Sequence, residues 1–348
     1  MKYTKVFLDS IGYELAPVVI TTEDIEEMLQ PFFDKLNITG RTFENLTGIS
    51  ERRWWESGGA PLSDGAVAAA KKVFAESNVK PEDVDVLIYG GVCREGFEPA
   101  TACKIASALE ISPDSLVYDL SNACLGVMNG IVEIANRIEL GQSRAGLIVS
   151  SESAREINEI TIQKMLADPT MPTFIKYLAT LTGGSGSVAL LLTDGSFNNK
   201  TDKKLLGGVA CSAPEFHKLC TWGMVPRENG SYEEVMLTDS VSVLKNGIVL
   251  SERTWNNFLE ELNWRTDDVD KIICHQVGST HQNKILKALG IPKEKDFDTF
   301  PFLGNIGSVS LPITAAIAEE RKFLNPGENV GFLGIGSGLN CIMLGWQW

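Results

Sequence analysis

Histidine is scarce in this sequence: three in 348 residues, at positions 217, 275 and 281. With so few imidazoles there is no HExxH, no carboxylate–histidine cluster and no Cys–His spacing suited to zinc, so no metal centre is expected. The seven cysteines (93, 103, 124, 211, 220, 274 and 341) include no CxxC pair and are odd in number, which argues for free thiols rather than a disulfide framework. Basic residues are outnumbered, 31 Lys and Arg against 45 Asp and Glu, for a formal charge of −14. No basic run interleaved with aromatics is present, so no nucleic-acid partner is expected. The longest apolar stretches, residues 84–92 and 188–192, fall short of the ~18 residues that a membrane helix needs. Residues 1–9 contain neither a long apolar segment nor a small-residue cleavage site, so a cytoplasmic location is expected. The glycine-rich stretches 183–186 and 334–338 fit neither the dinucleotide fingerprint, the P-loop nor the GxSxG elbow, and no cofactor is expected from them.

What is present is internal similarity. Residues 82–92 and 267–277 each run from an acidic turn into an apolar strand. Each is followed by a helical piece with nearly the same ending, residues 104–111 and 284–291. Further on, a helix over 123–140 and a strand over 145–151 are matched by a helix over 306–324 and a strand over 329–333. Continuous apolar strands alternating with helices indicate a sheet covered on both faces, the α/β class. The pattern predicts two duplicated halves, residues 1–198 and 199–348, with the midpoint in the polar stretch 194–204.

Three residues at related places in these repeats could do chemistry. Cys124 lies where a strand ends and a long helix starts, a position whose amide groups and dipole favour a thiolate. A cysteine at such a place is more often a small buried apolar residue. His275 ends the strand 269–274, and Asn305 sits in the turn Gly304-Asn305-Ile306-Gly307 before the next helix. Asn305 thus occupies roughly the place in the second half that Cys124 has in the first, which would bring both helix starts to one site.

Asn122-Ala123-Cys124, Cys274-His275-Gln276, Gly304-Asn305-Ile306-Gly307 with Ser310-Leu311-Pro312, the glycine strand 183–192 and the turn 334–338 together resemble a thiolase-superfamily condensing enzyme of the type III ketoacyl-ACP synthase group. The resemblance covers essentially the whole chain. It implies a five-layered αβαβα fold, a tight homodimer and a catalytic triad of Cys124, His275 and Asn305. It further implies that Cys124 takes an acyl group from a thioester. The first oxyanion would then be held by the backbone N–H groups of Cys124 and the Ser337 region, the second by His275 and Asn305.

Glu98 departs from the synthase pattern, which usually has an apolar residue or proline there. Residues 96–102, with His217-Lys218-Leu219-Cys220 and the ending 336–341, are similar to the olefin-biosynthesis branch, whose members join two long-chain acyl-CoAs without decarboxylation. The resemblance implies that Glu98 is the base removing the α-proton, reaching the site from the partner subunit, with its pKa raised by an apolar acyl pocket. The alternatives are a decarboxylating synthase that takes malonyl groups from an acyl carrier protein, and a non-catalytic acyl-binding subunit. Gly278, Thr280 and Leu46 replace the expected Asn and Arg residues of the CoA site, so CoA contacts stay unassigned. Arg52, Arg53, Trp54 and Trp55 form a basic-aromatic cluster that could meet a nucleotide or pack a surface.

Overall fold

The computed structural model describes residues 1–38, 42–59, 61–197, 202–227 and 229–348. Its strands in the first half are β1 (Phe7–Leu15), β2 (Val18–Thr21), β3 (Glu51–Trp54), β4 (Val86–Gly90), β5 (Leu116–Leu120), β6 (Ala145–Glu152) and β7 (Gly186–Thr193). The second half contributes β8 (Lys204–Ser212), β9 (Cys220–Pro226), β10 (Tyr232–Thr238), β11 (Lys271–Cys274), β12 (Asn329–Gly336) and β13 (Asn340–Gln347). Nine of them form one sheet in the order β11-β12-β13-β8-β1-β7-β6-β4-β5, joined across the halves where Phe7 meets Lys204.

The duplication is visible in the pairing. In the first half the first strand runs antiparallel to the last, the last antiparallel to β6, and β6 parallel to β4. In the second half β8, β13, β12 and β11 repeat that scheme. Even the edge is echoed: β5 flanks β4, and a parallel bridge sets Asp296 beside Ile272 of β11. The expected boundary between residues 198 and 199 lies outside the described residues.

Side-chain alternation along these doubly buried strands builds the layers, since successive residues face opposite ways. Ile88, Ile148, Val188 and Leu190 point inward with Ile273, Phe332 and Leu344, onto the helices Gly126–Glu139 and Ser310–Glu320. Leu87, Leu147, Val149 and Leu191 point outward onto the helices Leu62–Ala75 and Thr101–Ala108. Ile272, Leu333, Cys341 and Met343 do the same against the helices Ser240–Leu262 and Ser279–Leu289. The result is helix, sheet, helix, sheet, helix: the five-layered α/β fold.

Two features had no counterpart in the sequence pattern. A lobe built around Phe32, Phe33, Phe43, Trp54 and Phe174 adds a fourth core. An exposed ribbon of β9 and β10 precedes the helix Ser240–Leu262, which is started by Asp239 accepting from Ser242 N–H at 3.0 Å. Among the described residues no helix is long and apolar enough to cross a membrane.

Candidate active site

The helix expected from residue 123 begins at Gly126, preceded by a single 3₁₀ turn, Ala123–Leu125, that carries Cys124. Ala123 has φ +47°, a left-handed conformation that costs a residue with a β-carbon about 1–2 kcal/mol. The neighbours hold it there. Asn122 donates through Nδ2 to Asn129 Oδ1 at 2.6 Å and accepts at Oδ1 from Asn340 Nδ2 at 2.8 Å, linking the turn to its own helix and to β13. Gly126 is required at the helix start: a β-carbon there would lie 2.7 Å from Gly91 N and 2.8 Å from Gly90 C, both backbone.

Two backbone N–H groups reach the thiol, that of Cys124 itself and that of Ser337 in the turn between β12 and β13. Both pull its pKa down, as the helix-start argument expects. Burial overrides them, aided by the Cys220 thiol and the Glu152 carboxylate, and pushes Cys124 up to about 12. The expected lowered pKa is therefore corrected: the residue is only half-buried, but its sulphur is enclosed and carries its proton at neutral pH.

His275 directly follows β11, its N–H donating to Leu333 O of β12 at 3.0 Å. Burial, with His281 beside it, lowers its pKa to about 3, so the ring is neutral at working pH. Gln276 fixes the next segment: its Oε1 accepts from Thr299 and Phe300 N–H at 3.0 and 3.2 Å, and its own N–H donates to Ser310 Oγ at 3.1 Å. Asn305 lies between these anchors and the first half, donating its N–H to Thr182 O and accepting at its own C=O from Gly184 N–H. Its Oδ1 accepts from Gly307 N–H at 3.1 Å, which orients the amide with Nδ2 left as a donor. The Cys124 turn packs against β12, whose neighbour β11 leads to His275, and against the 3₁₀ turn Gly307–Val309 that follows Asn305.

Glu152, buried at the end of β6, was not singled out from the sequence. Its Oε1 accepts from Val92 N–H at 3.0 Å, Ser308 N–H at 3.2 Å and Ser308 Oγ at 2.6 Å, and its Oε2 from Cys93 N–H at 3.0 Å. One carboxylate thus ties the loop leading to Glu98 to the turn after Asn305. The signal was there: the apolar strand 145–149 ends in Ser150-Ser151-Glu152, a polar finish to a fully buried element.

Glu98 stands exposed at the tip of its loop beside a fully exposed Phe97, and among the described residues it makes no hydrogen bond or ion pair. The described residues leave its side chain exposed rather than in an apolar pocket. The base of the loop is firm: Glu95 pairs with Lys104 and accepts from Ser63 N–H, and Asp119 of β5 accepts from Thr101 and Ala102 N–H at 3.0 and 2.9 Å. The cluster 52–55 is not an open nucleotide surface. Arg52 and Trp54 are buried, Arg52 donating to Thr22 Oγ1 at 3.0 Å, with burial lowering its pKa to about 10.

Residues 60–183 match the thiolase N-terminal domain and residues 259–348 the 3-oxoacyl-[acyl-carrier-protein] synthase III C-terminal domain. The acyl-CoA:acyl-CoA alkyltransferase of Shewanella oneidensis is 53% identical over 350 residues, covering 100% of both chains. The chain belongs to the acyl-CoA:acyl-CoA alkyltransferase family. An alkyltransferase of Xanthomonas campestris is 32% identical, again over 100% of both chains. A crystal structure of cerulenin-bound Xanthomonas OleA superimposes with a TM-score of 0.92 at 33% identity, covering 100% of this chain and 98% of that one. A cysteine-to-serine variant of OleA, solved with lauric acid and lauroyl-CoA bound, gives 0.91 at 32% identity over 99% and 100%. The β-ketoacyl-[acyl-carrier-protein] synthase III of Clostridium novyi is more distant from this alkyltransferase-family chain, at 24% identity over 95% of each chain.

Proposed function

We propose that this chain condenses two acyl-CoA thioesters head to head, without decarboxylation, releasing coenzyme A and forming a β-ketoacyl product. The observation that carries this reading is an enclosed thiol met by two backbone N–H groups, in a chain alike from end to end to an acyl-CoA:acyl-CoA alkyltransferase.

In the first step Cys124 Sγ attacks the carbonyl of one thioester. The oxyanion is stabilised by the N–H groups of Cys124 and Ser337, the bond to the CoA sulphur breaks, and the thiol proton departs on CoA. In the second step a carboxylate removes the α-proton of another acyl-CoA, and the enolate oxygen accepts from His275 and Asn305. The enolate carbon then bonds to the acyl carbon, the bond to Cys124 breaks, and the thiolate takes a proton. Cys124 cannot be the base once acylated, and His275 serves as a donor, so we assign the base to Glu98 of the partner subunit in a homodimer. The fully exposed Phe97 beside it suits a tip that inserts into a neighbour. The substrates are acyl-CoAs, no cofactor takes part, and the enzyme works in the cytoplasm.

A decarboxylating synthase fed by an acyl carrier protein is the second reading, favoured by the match of residues 259–348. Supplying acyl-CoA alone separates the two. Wild-type protein should form acyl-Cys124, seen by intact mass, and then β-keto product. Glu98→Gln should form the acyl-enzyme and lose product formation by about 10²-fold or more. Product from wild type only when a malonyl thioester is added, or normal condensation by Glu98→Gln, would overturn the head-to-head assignment.

A further inference from the structure

Behind His275, on the face away from the central helices, lies a cavity of about 30 Å³ lined by Cys274, His275, His281, Gln282 and Asp296 among others. Three buried polar atoms of these residues meet no hydrogen-bond partner among the described residues: His275 Nδ1, Gln282 Oε1 and Asp296 Oδ1. A space of this size holds a water, and three polar partners are the usual number for a buried one. The far oxygen of Asp296 is already committed, Oδ2 accepting from Gln282 Nε2 at 2.8 Å.

We infer that a water held by Asp296 and Gln282 bonds to His275 Nδ1 and sets the tautomer of that ring, making Asp296 a positioning residue for His275. The bookkeeping follows from the donors available. When Asp296 is protonated, Oδ1–H donates to the water, and the water donates to Gln282 Oε1 and His275 Nδ1. The ring proton is then on Nε2, the donor that an enolate oxygen requires. When Asp296 is ionised, the water gives both protons to Asp296 Oδ1 and Gln282 Oε1 and accepts from Nδ1–H, so Nε2 loses its proton.

The groups that face Asp296 make this exchange accessible near neutrality. Burial raises its pKa to about 7, opposed by Gln282, assisted by Asp298, and opposed again by the thiol and N–H of Cys274. His281, on the same helix as Gln282, is kept neutral by burial, its pKa lowered to about 4. His275 itself is neutral throughout, so only its tautomer changes. Below about pH 7 the Nε2–H form prevails, and above it the Nδ1–H form.

The consequence for condensation rests on the donor role proposed for His275, and the test keeps the two apart. With only three histidines in the chain, ¹⁵N-histidine NMR reads the tautomer of His275 directly, assigned with His217→Gln and His281→Gln. The ring should exchange its protonated nitrogen between pH 5.5 and 8.5 in wild type. It should stay Nε2–H in Asp296→Asn, whose amide N–H replaces the carboxyl proton, and lose the pH step in Asp296→Val. In single turnovers of preformed acyl-enzyme, the rate of wild type relative to Asp296→Asn should fall about tenfold between pH 6 and 8, following the protonated fraction of a group titrating near 7. A tautomer constant with pH in wild type, or an Asp296→Asn variant that titrates like wild type, would overturn the inference. If the tautomer switches as expected while His275→Ala condenses normally, the positioning stands and the donor role falls.

Discussion

Replacing Glu152 should cost stability and activity by separable amounts. In Glu152→Ala the N–H groups of Val92, Cys93 and Ser308 all lose their acceptor, whereas Ser308 Oγ still reaches Gly90 O at 3.2 Å and Ser150 Oγ at 3.0 Å. Each orphaned buried donor costs about 1–3 kcal/mol. Ser308 is fully buried, while Val92 and Cys93 lie near enough to the surface to recover water, so a net loss of about 3–5 kcal/mol is expected. That is a large part of a typical 5–15 kcal/mol, but it leaves the variant folded in the cold. Glu152→Gln keeps the shape and one acceptor oxygen but points an NH₂ group at a backbone N–H, for a loss of about 2 kcal/mol. Urea unfolding at constant m-value measures both. Condensation should fall more than acylation of Cys124, because the turn released by Ser308 is the one beside Asn305. Midpoints equal to wild type in both variants would show that the carboxylate holds nothing together.

Cys124 should react with iodoacetamide more slowly than the exposed Cys103 at pH 7, and its rate should climb about tenfold per pH unit from 7 to 9 with no plateau, as a thiol titrating near 12 requires; peptide mapping decides, and a plateau near neutrality refutes it. Asn305→Asp keeps the acceptor for Gly307 N–H but removes the Nδ2 donor, so acyl-enzyme should form normally while condensation drops by about 10²–10³, and equal product yield would remove Asn305 from the mechanism. Gly126→Ala should lose at least about 2 kcal/mol in urea unfolding and slow acylation, because backbone atoms 2.7–2.8 Å away cannot move aside; a loss under half a kcal/mol would contradict that packing.

The strand-helix-strand order and its repetition were legible because doubly buried strands read as unbroken apolar runs, and the repeats share their turn residues. Cys124, His275 and Asn305 were legible as positions at element ends. Other features depend on contacts far apart in sequence. The thiol's high pKa comes from burial and from Cys220 and Glu152, none adjacent to it. Glu152 itself bonds a loop 59 residues before it and a turn 156 residues after it. The burial of Arg52 could not be read because the groups that meet it, Thr22, Gly184 and Gly304, are distant in sequence.

The position of β13 has a bearing on how the chain is made. It is the last strand in sequence, yet it lies inside the sheet, with β12 on one side and β8 on the other. β8 must therefore be synthesised long before its neighbour exists, leaving Leu205 and Val209 without their partners Trp346 and Met343 until those residues have been made. The first half is spared this delay, since β7 closes onto β1 once residue 193 has left the ribosome. A nascent chain would thus pass through a stage with one half finished and the other open along its middle. Loss of β13 would not trim an edge but split the second half in two, separating the strand that leads to His275 from β8. Such a truncation should yield aggregates rather than a weakened enzyme.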